Sequence, residues 1–151
     1  MIHFPRTIIL RHRRENLKKC SLRTLPKRED LQILTYPTTP LPDLSSYLML
    51  KVEAPPLTLD DCKYGLFFID ATWRLAAIME KQCSLMQARS LPAHFRTAYP
   101  RRQTDCSDPT AGLATLEALF LSYRILKRPT DNILNGYIWE KQFIELNSLE
   151  N

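Results

Sequence analysis

Residues 65–79, Gly-Leu-Phe-Phe-Ile-Asp-Ala-Thr-Trp-Arg-Leu-Ala-Ala-Ile-Met, leave few folds open to this chain. Four apolar residues after Gly65 suit a strand covered on both faces, and Leu75, Ile78 and Met79 then recur at helical offsets. The pattern predicts a buried strand, a tight turn and a helix. Asp70, Thr72 and Trp73 fall at the carboxyl end of the strand, where open α/β sheets hold their ligands. The same turn has a simpler reading, because Asp70 or Thr72 is also a fit cap for the helix.

The rest of the chain repeats the alternation. Residues 7–10, 31–35 and 46–52 predict further strands. Prolines 37, 40 and 42 make an extended loop, and Pro55-Pro56 mark a second break. Thr58 is placed to cap a short helical turn over 57–61. Helices are predicted over 73–83, over 113–126 with Leu113, Leu116, Leu119 and Phe120 on one stripe, and over 133–146 with Ile138, Trp139, Phe143 and Leu146 spaced to pack. Residues 90–96 form a second candidate ligand loop, and 99–112 read as irregular. Strands alternating with helices predict an α/β fold, a mostly parallel sheet flanked by helices. A length of 151 residues fits a single domain, 1–151.

Several chemistries are excluded by what the chain lacks. With glycine only at 65, 112 and 136, neither a dinucleotide-binding loop nor a P-loop can be built. There is no Gly-x-Ser-x-Gly elbow for a hydrolase. Cys20, Cys62, Cys83 and Cys106 are scattered without zinc-ligand spacing, so no metal is expected and free thiols in a reducing compartment are. No apolar run has the ~18 residues of a membrane span and no signal-peptide pattern opens the sequence, which predicts a cytoplasmic protein.

Charge is concentrated at one end. Residues 1–30 hold nine Lys/Arg against three Asp/Glu, whereas 31–151 hold twelve against thirteen. Arg11, Arg13, Arg14, Lys18, Lys19, Arg23, Lys27 and Arg28 suit a phosphate-tracking patch for nucleic acid, or a solvated basic surface.

Asp70-Ala71-Thr72-Trp73-Arg74 with Ala76 and Met79, followed by Leu113-Ala114-Thr115-Leu116-Glu117-Ala118, resembles the motif pair of the DTW-domain family, tRNA-uridine aminocarboxypropyltransferases. Lys18-Lys19-Cys20-Ser21, Arg89-Ser90-Leu91-Pro92 with Pro100, and Trp139-x-x-x-Phe143-Ile144-Glu145-Leu146-Asn147 resemble the related ribosomal-RNA aminocarboxypropyltransferases of small-subunit maturation. The matches span most of the chain. Their order and spacing carry the resemblance, and 99–108 departs from the ribosomal-RNA family's pattern.

The resemblance implies a SPOUT-like fold with a C-terminal trefoil knot, in which basic residues 1–55 face RNA and knotted residues 56–151 bind S-adenosyl-L-methionine. It implies transfer of the 3-amino-3-carboxypropyl group to N3 of a uridine or pseudouridine, leaving methylthioadenosine. Both chain ends favour rRNA over tRNA. A SPOUT methyltransferase and a non-catalytic RNA-binding assembly factor are the alternatives.

The residues take roles from that implication. Asp70 would accept the imide proton or orient the base. Trp73 with Ala76 would wall in the sulfonium methyl, or simply pack in the core. Ser21 would hold the aminocarboxypropyl carboxylate, and Leu91 would touch the nucleoside through its backbone. Thr72 and Leu113 join the cofactor-binding set, while Thr115 and Glu117 either bind cofactor or cap a helix. Arg11, Arg13, Arg14, Lys18, Lys19, Arg23, Arg96, Arg101 and Arg102 would follow RNA phosphates. The chain is expected to act as a monomer.

Overall fold

The structure, a computed structural model, describes residues 4–14, 20–83, 86–100 and 112–149, with Trp73 by its backbone alone. Five strands, β1 (Thr7–His12), β2 (Leu31–Tyr36), β3 (Tyr47–Leu50), β4 (Gly65–Asp70) and β5 (Gln87–Arg89), form one sheet in the order β2-β1-β4-β3-β5. Every pairing is parallel. Among the described residues three α-helices accompany them, α1 (Trp73–Lys81), α2 (Thr115–Ile125) and α3 (Glu140–Leu146), with 3-10 turns at Ser21–Thr24 and Leu59–Asp61.

Side chains alternate across a strand, so each central strand serves two cores. Ile8, Leu10, Met49 and Phe67 pack with Met79 and Cys83 on the α1 side. Ile9, Leu48, Leu66 and Phe68 pack with Leu116, Leu119, Phe120 and Phe143 on the α2 side. Continuous apolar runs in β1 and β4 follow from this double covering.

Winding reverses between β1 and β4. From β1 the chain passes to β2 on one side, whereas from β4 it passes through α1 to β5 on the other. The crevice beyond the carboxyl ends of β1 and β4 is therefore the switch point where such sheets admit ligands.

Three expectations are corrected. The last helix begins at Glu140 rather than 133, because Asn132 and Gly136 adopt left-handed backbone (φ 66° and 80°) and 131–139 forms turns. Of its predicted packing residues Phe143 is buried and Trp139 half-buried, while Ile138 and Leu146 face solvent. Ile78 of α1 is likewise exposed. The third correction is β5, a strand not anticipated: its three residues pair with β3 through backbone bonds and carry too little apolar pattern to announce a strand.

Candidate functional site at the carboxyl ends of β1 and β4

Arg11 and Asp70 are register partners on adjacent strands. They share the parity of Ile9 and Phe68, so both side chains emerge on the α2 side of the sheet. Arg11 Nε donates to Asp70 Oδ2 at 3.3 Å, and the Cys20 thiol donates to the same oxygen at 3.3 Å. Arg11 Nη2 reaches the Cys20 sulfur at 3.6 Å. From the first residue of α2, Thr115 donates its hydroxyl to Asp70 Oδ1 at 2.8 Å. Ser21 Oγ accepts the backbone N–H of Leu116 at 3.3 Å. Cys20 and Ser21 are neighbours, as are Thr115 and Leu116, so these bonds close into a ring drawn from four separate segments.

The ring gives the strand-end acid its partners. Asp70 is turned toward Arg11, Cys20 and Thr115, away from α1, so the capping alternative for it fails. Thr72 occupies the cap position of α1 without a side-chain cap bond. A carboxylate offers about four acceptor sites, of which three are filled among the described residues. The fourth lies on Oδ1. Burial, then the neighbouring Asp70 charge, push the Cys20 thiol up to about 12. It keeps its proton at neutral pH and acts as a donor.

Glu117 lies one turn behind the ring and is fully buried. Its carboxylate accepts from Thr97 Oγ1 at 2.6 Å, the Ala98 N–H at 2.9 Å, the Ala114 N–H at 2.8 Å and the Tyr137 hydroxyl at 3.1 Å. Of the two uses left open for it, the Ala114 bond is helix capping. The other three donors tie loop 91–99 and Tyr137 to the start of α2.

Other predicted residues fall around this frame. Leu91 and Leu113 are half-buried against the α2-side core. Ala76 is half-buried and Thr72 exposed on the α1 side, and the Trp73 side chain lies outside the described residues. Arg13, Arg14, Arg23 and Arg96 are exposed. Beside them His12 accepts the Arg14 N–H through Nδ1 at 3.0 Å, and burial, then Arg14 and Arg13, hold its imidazole below the ordinary value. Lys18, Lys19, Arg101 and Arg102 are outside the described residues. A cleft of about 330 Å³ on the α1 side, lined by Met49, Lys51, Ala77 and Cys83 among others, includes none of the ring's residues. Among the described residues no cluster suits a metal ion, and no helix is long and apolar enough to cross a membrane.

No family model and no curated protein matches this chain. Among solved structures, that of the SAM-dependent rRNA:acp-transferase Tsr3 from Vulcanisaeta distributa matches 97% of this chain and 80% of its own, with a TM-score of 0.65 and 20% identity. The two chains share a fold. The likeness to Tsr3 concerns architecture: a mostly parallel α/β sheet with flanking helices.

Two ring members were expected away from Asp70, Arg11 among the RNA-phosphate contacts and Cys20 only as part of stretch 18–21. Cys20 counted as one of four scattered thiols, and Arg11 as one of a basic run. The signal was parity: Arg11 stands two residues after Ile9 in a strand and so lies on the same face.

Proposed function

We propose that this chain is an S-adenosyl-L-methionine-dependent, cytoplasmic, monomeric RNA-modifying enzyme that transfers the 3-amino-3-carboxypropyl group to N3 of a uridine or pseudouridine in small-subunit rRNA. The observation that carries the proposal is the ring. Asp70, Thr115 and Ser21 come from three different stretches of the sequence resemblance, and they converge at the sheet's switch point. The fold shared with Tsr3 is the independent support. A knot within residues 56–151 is included in the proposal.

The residues present fit such a cofactor. Ser21 Oγ accepts from Leu116 and, among the described residues, its own proton is free to be donated and Asp70 keeps one acceptor site, while Leu91 and Leu113 supply apolar surface on the same α2-side core. When bound, S-adenosyl-L-methionine would supply an electrophilic carbon next to its sulfonium, with methylthioadenosine as the leaving group. Asp70 Oδ1 takes the imide N–H of the base, so that N3 loses its proton as it becomes the nucleophile. Thr115 fixes the rotamer of Asp70. Ser21 donates to the carboxylate of the transferred group. Trp73 and Ala76, with Thr72 before them, cover the sulfonium methyl. Arg13, Arg14, Arg23 and Arg96, joined by Lys18, Lys19, Arg101 and Arg102, follow RNA phosphates.

Calorimetric titration with S-adenosylmethionine, S-adenosylhomocysteine and methylthioadenosine tests the reading, followed by product analysis with small-subunit rRNA. Binding of S-adenosylmethionine and methylthioadenosine, with methylthioadenosine as the product, is expected. S-adenosylhomocysteine as the product indicates a methyltransferase, and no binding of any of the three leaves an RNA-binding assembly factor. Turnover on tRNA alone redirects the substrate to the DTW type.

A further inference from the structure

We infer that Arg11 is the receptor for the α-carboxylate of the transferred group, so that the site selects a sulfonium bearing an amino-acid head over ligands that lack the carboxylate. The inference rests on the function proposed above and adds a residue and a selectivity to it.

Arg11 differs from the arginines that follow it. Arg13 and Arg14 project into solvent, whereas Arg11, the penultimate residue of β1, is turned onto Asp70 with its side chain 19% exposed. That is deep for a contact to the outer face of an RNA strand, yet open enough to meet a ligand in the crevice. Its guanidinium is also held in orientation. Nε points to Asp70 Oδ2 and Nη2 to the Cys20 sulfur, which together fix the plane of the group.

Asp70 does not engage Arg11 through paired N–H···O bonds. One oxygen meets Nε alone, and its second oxygen is committed to Thr115. A guanidinium carries five N–H donors, and its planar fork favours a carboxylate bound through two parallel bonds. Nη1 makes no hydrogen bond among the described residues, so the end of the fork remains for a second carboxylate. Ser21 follows Cys20 directly, and its hydroxyl proton is the neighbouring donor. The ring's own charges, Arg11 and Asp70, balance. A ligand carboxylate at Arg11 and a cationic centre toward Asp70 therefore match it in both signs, which a lone phosphate does not.

The test uses the full chain and three ligands: S-adenosylmethionine, its decarboxylated analogue and methylthioadenosine. The wild-type protein is expected to bind S-adenosylmethionine about tenfold or more tighter than the decarboxylated analogue, the scale of a charge-assisted hydrogen bond. Arg11→Gln is expected to remove that preference and to leave methylthioadenosine affinity unchanged. Equal wild-type affinity for the first two ligands overturns the role of Arg11 and leaves the proposed function standing, and this comparison needs no variant to fold. Equal losses of S-adenosylmethionine and methylthioadenosine in Arg11→Gln also overturn it. A loss of RNA affinity with S-adenosylmethionine binding intact makes Arg11 a phosphate contact and sinks the inference. Failure of the wild-type protein to bind any of the three removes the proposed function and the inference together.

Discussion

Thr115 and Asp70, 45 positions apart in sequence, are joined by a hydroxyl-to-carboxylate hydrogen bond of 2.8 Å. The bond links the last residue of β4 to the first of α2, so the helix N-terminus and the strand end are positioned by each other. Asp70 is 7% exposed, and a buried carboxylate that loses a donor has little water to replace it.

Thr115→Val keeps the shape and removes the donor. We expect a loss of about 1–2 kcal/mol in denaturant unfolding, whereas Thr115→Ser stays close to wild type. Equal stability of the two variants means that the bond contributes nothing to the fold.

The Cys20 thiol sets an alkaline limit. Its value rises from the ordinary 9.0 to about 12 in the folded chain, so the native state holds that proton more tightly than the unfolded one. Its contribution to stability is therefore complete below about pH 9 and is lost as pH climbs toward 12. Burial moves Tyr123 in the same sense, from 10.0 to about 12, so its contribution fades from a higher starting point. The unfolding midpoint is expected to be flat near neutrality and to fall above about pH 9. Cys83 is pushed up from the same ordinary 9.0, by burial and then by Glu80, so Cys20→Ser should leave the onset near pH 9 and make the fall between about pH 9 and 12 shallower. An unchanged steepness of that fall assigns the effect elsewhere.

Gly65 opens β4 opposite Tyr47 in the register of β3. A Cβ at this position runs into the Tyr47 ring, and the ring is anchored at its far end by a 2.6 Å hydrogen bond from its hydroxyl to the Arg6 carbonyl. Gly65→Ala is expected to cost about 1–3 kcal/mol by overpacking. Adding Tyr47→Ala should make the two effects less than additive, and a double-mutant cycle with no coupling contradicts the clash.

Arg13 and Arg14 are the exposed charges at the end of β1. If both meet phosphates, replacing them by Gln lowers the slope of log affinity against log salt by about 1.4–1.8, some 0.7–0.9 per contact. Arg28→Gln serves as the contrast, because that guanidinium is engaged with Asp30 at 2.9 Å and with the Asp131 and Pro129 carbonyls. An unchanged slope in the double variant takes this turn out of the RNA surface.

Legibility in the sequence followed burial. The strands around Ile8–Leu10 and Leu66–Ile69 are apolar because both faces are covered, and that double covering is what a sequence displays. Asp70 stood out because an acid ended such a run. The partners of Asp70 were not visible, since Cys20 and Thr115 reach it only after the chain has wound around the sheet, across 50 and 45 residues. Three-residue β5 and the late start of α3 were hidden for a local reason: the first is held by backbone pairing and the Arg89–Asp61 ion pair, neither of which gives an apolar alternation, and the second follows left-handed residues that periodicity does not register.

Glu117 has a consequence for motion. Loop 91–99, the start of α2 and Tyr137 share a single buried acceptor, so the opening of any one of them leaves a buried carboxylate short of a donor. Segments coupled in this way are expected to open together, which similar hydrogen-exchange rates of their backbone amides would show. The wall of the crevice on this side is therefore built as a stiff plate, which meets an incoming ligand already in shape and leaves adaptation to the regions of the chain beyond it.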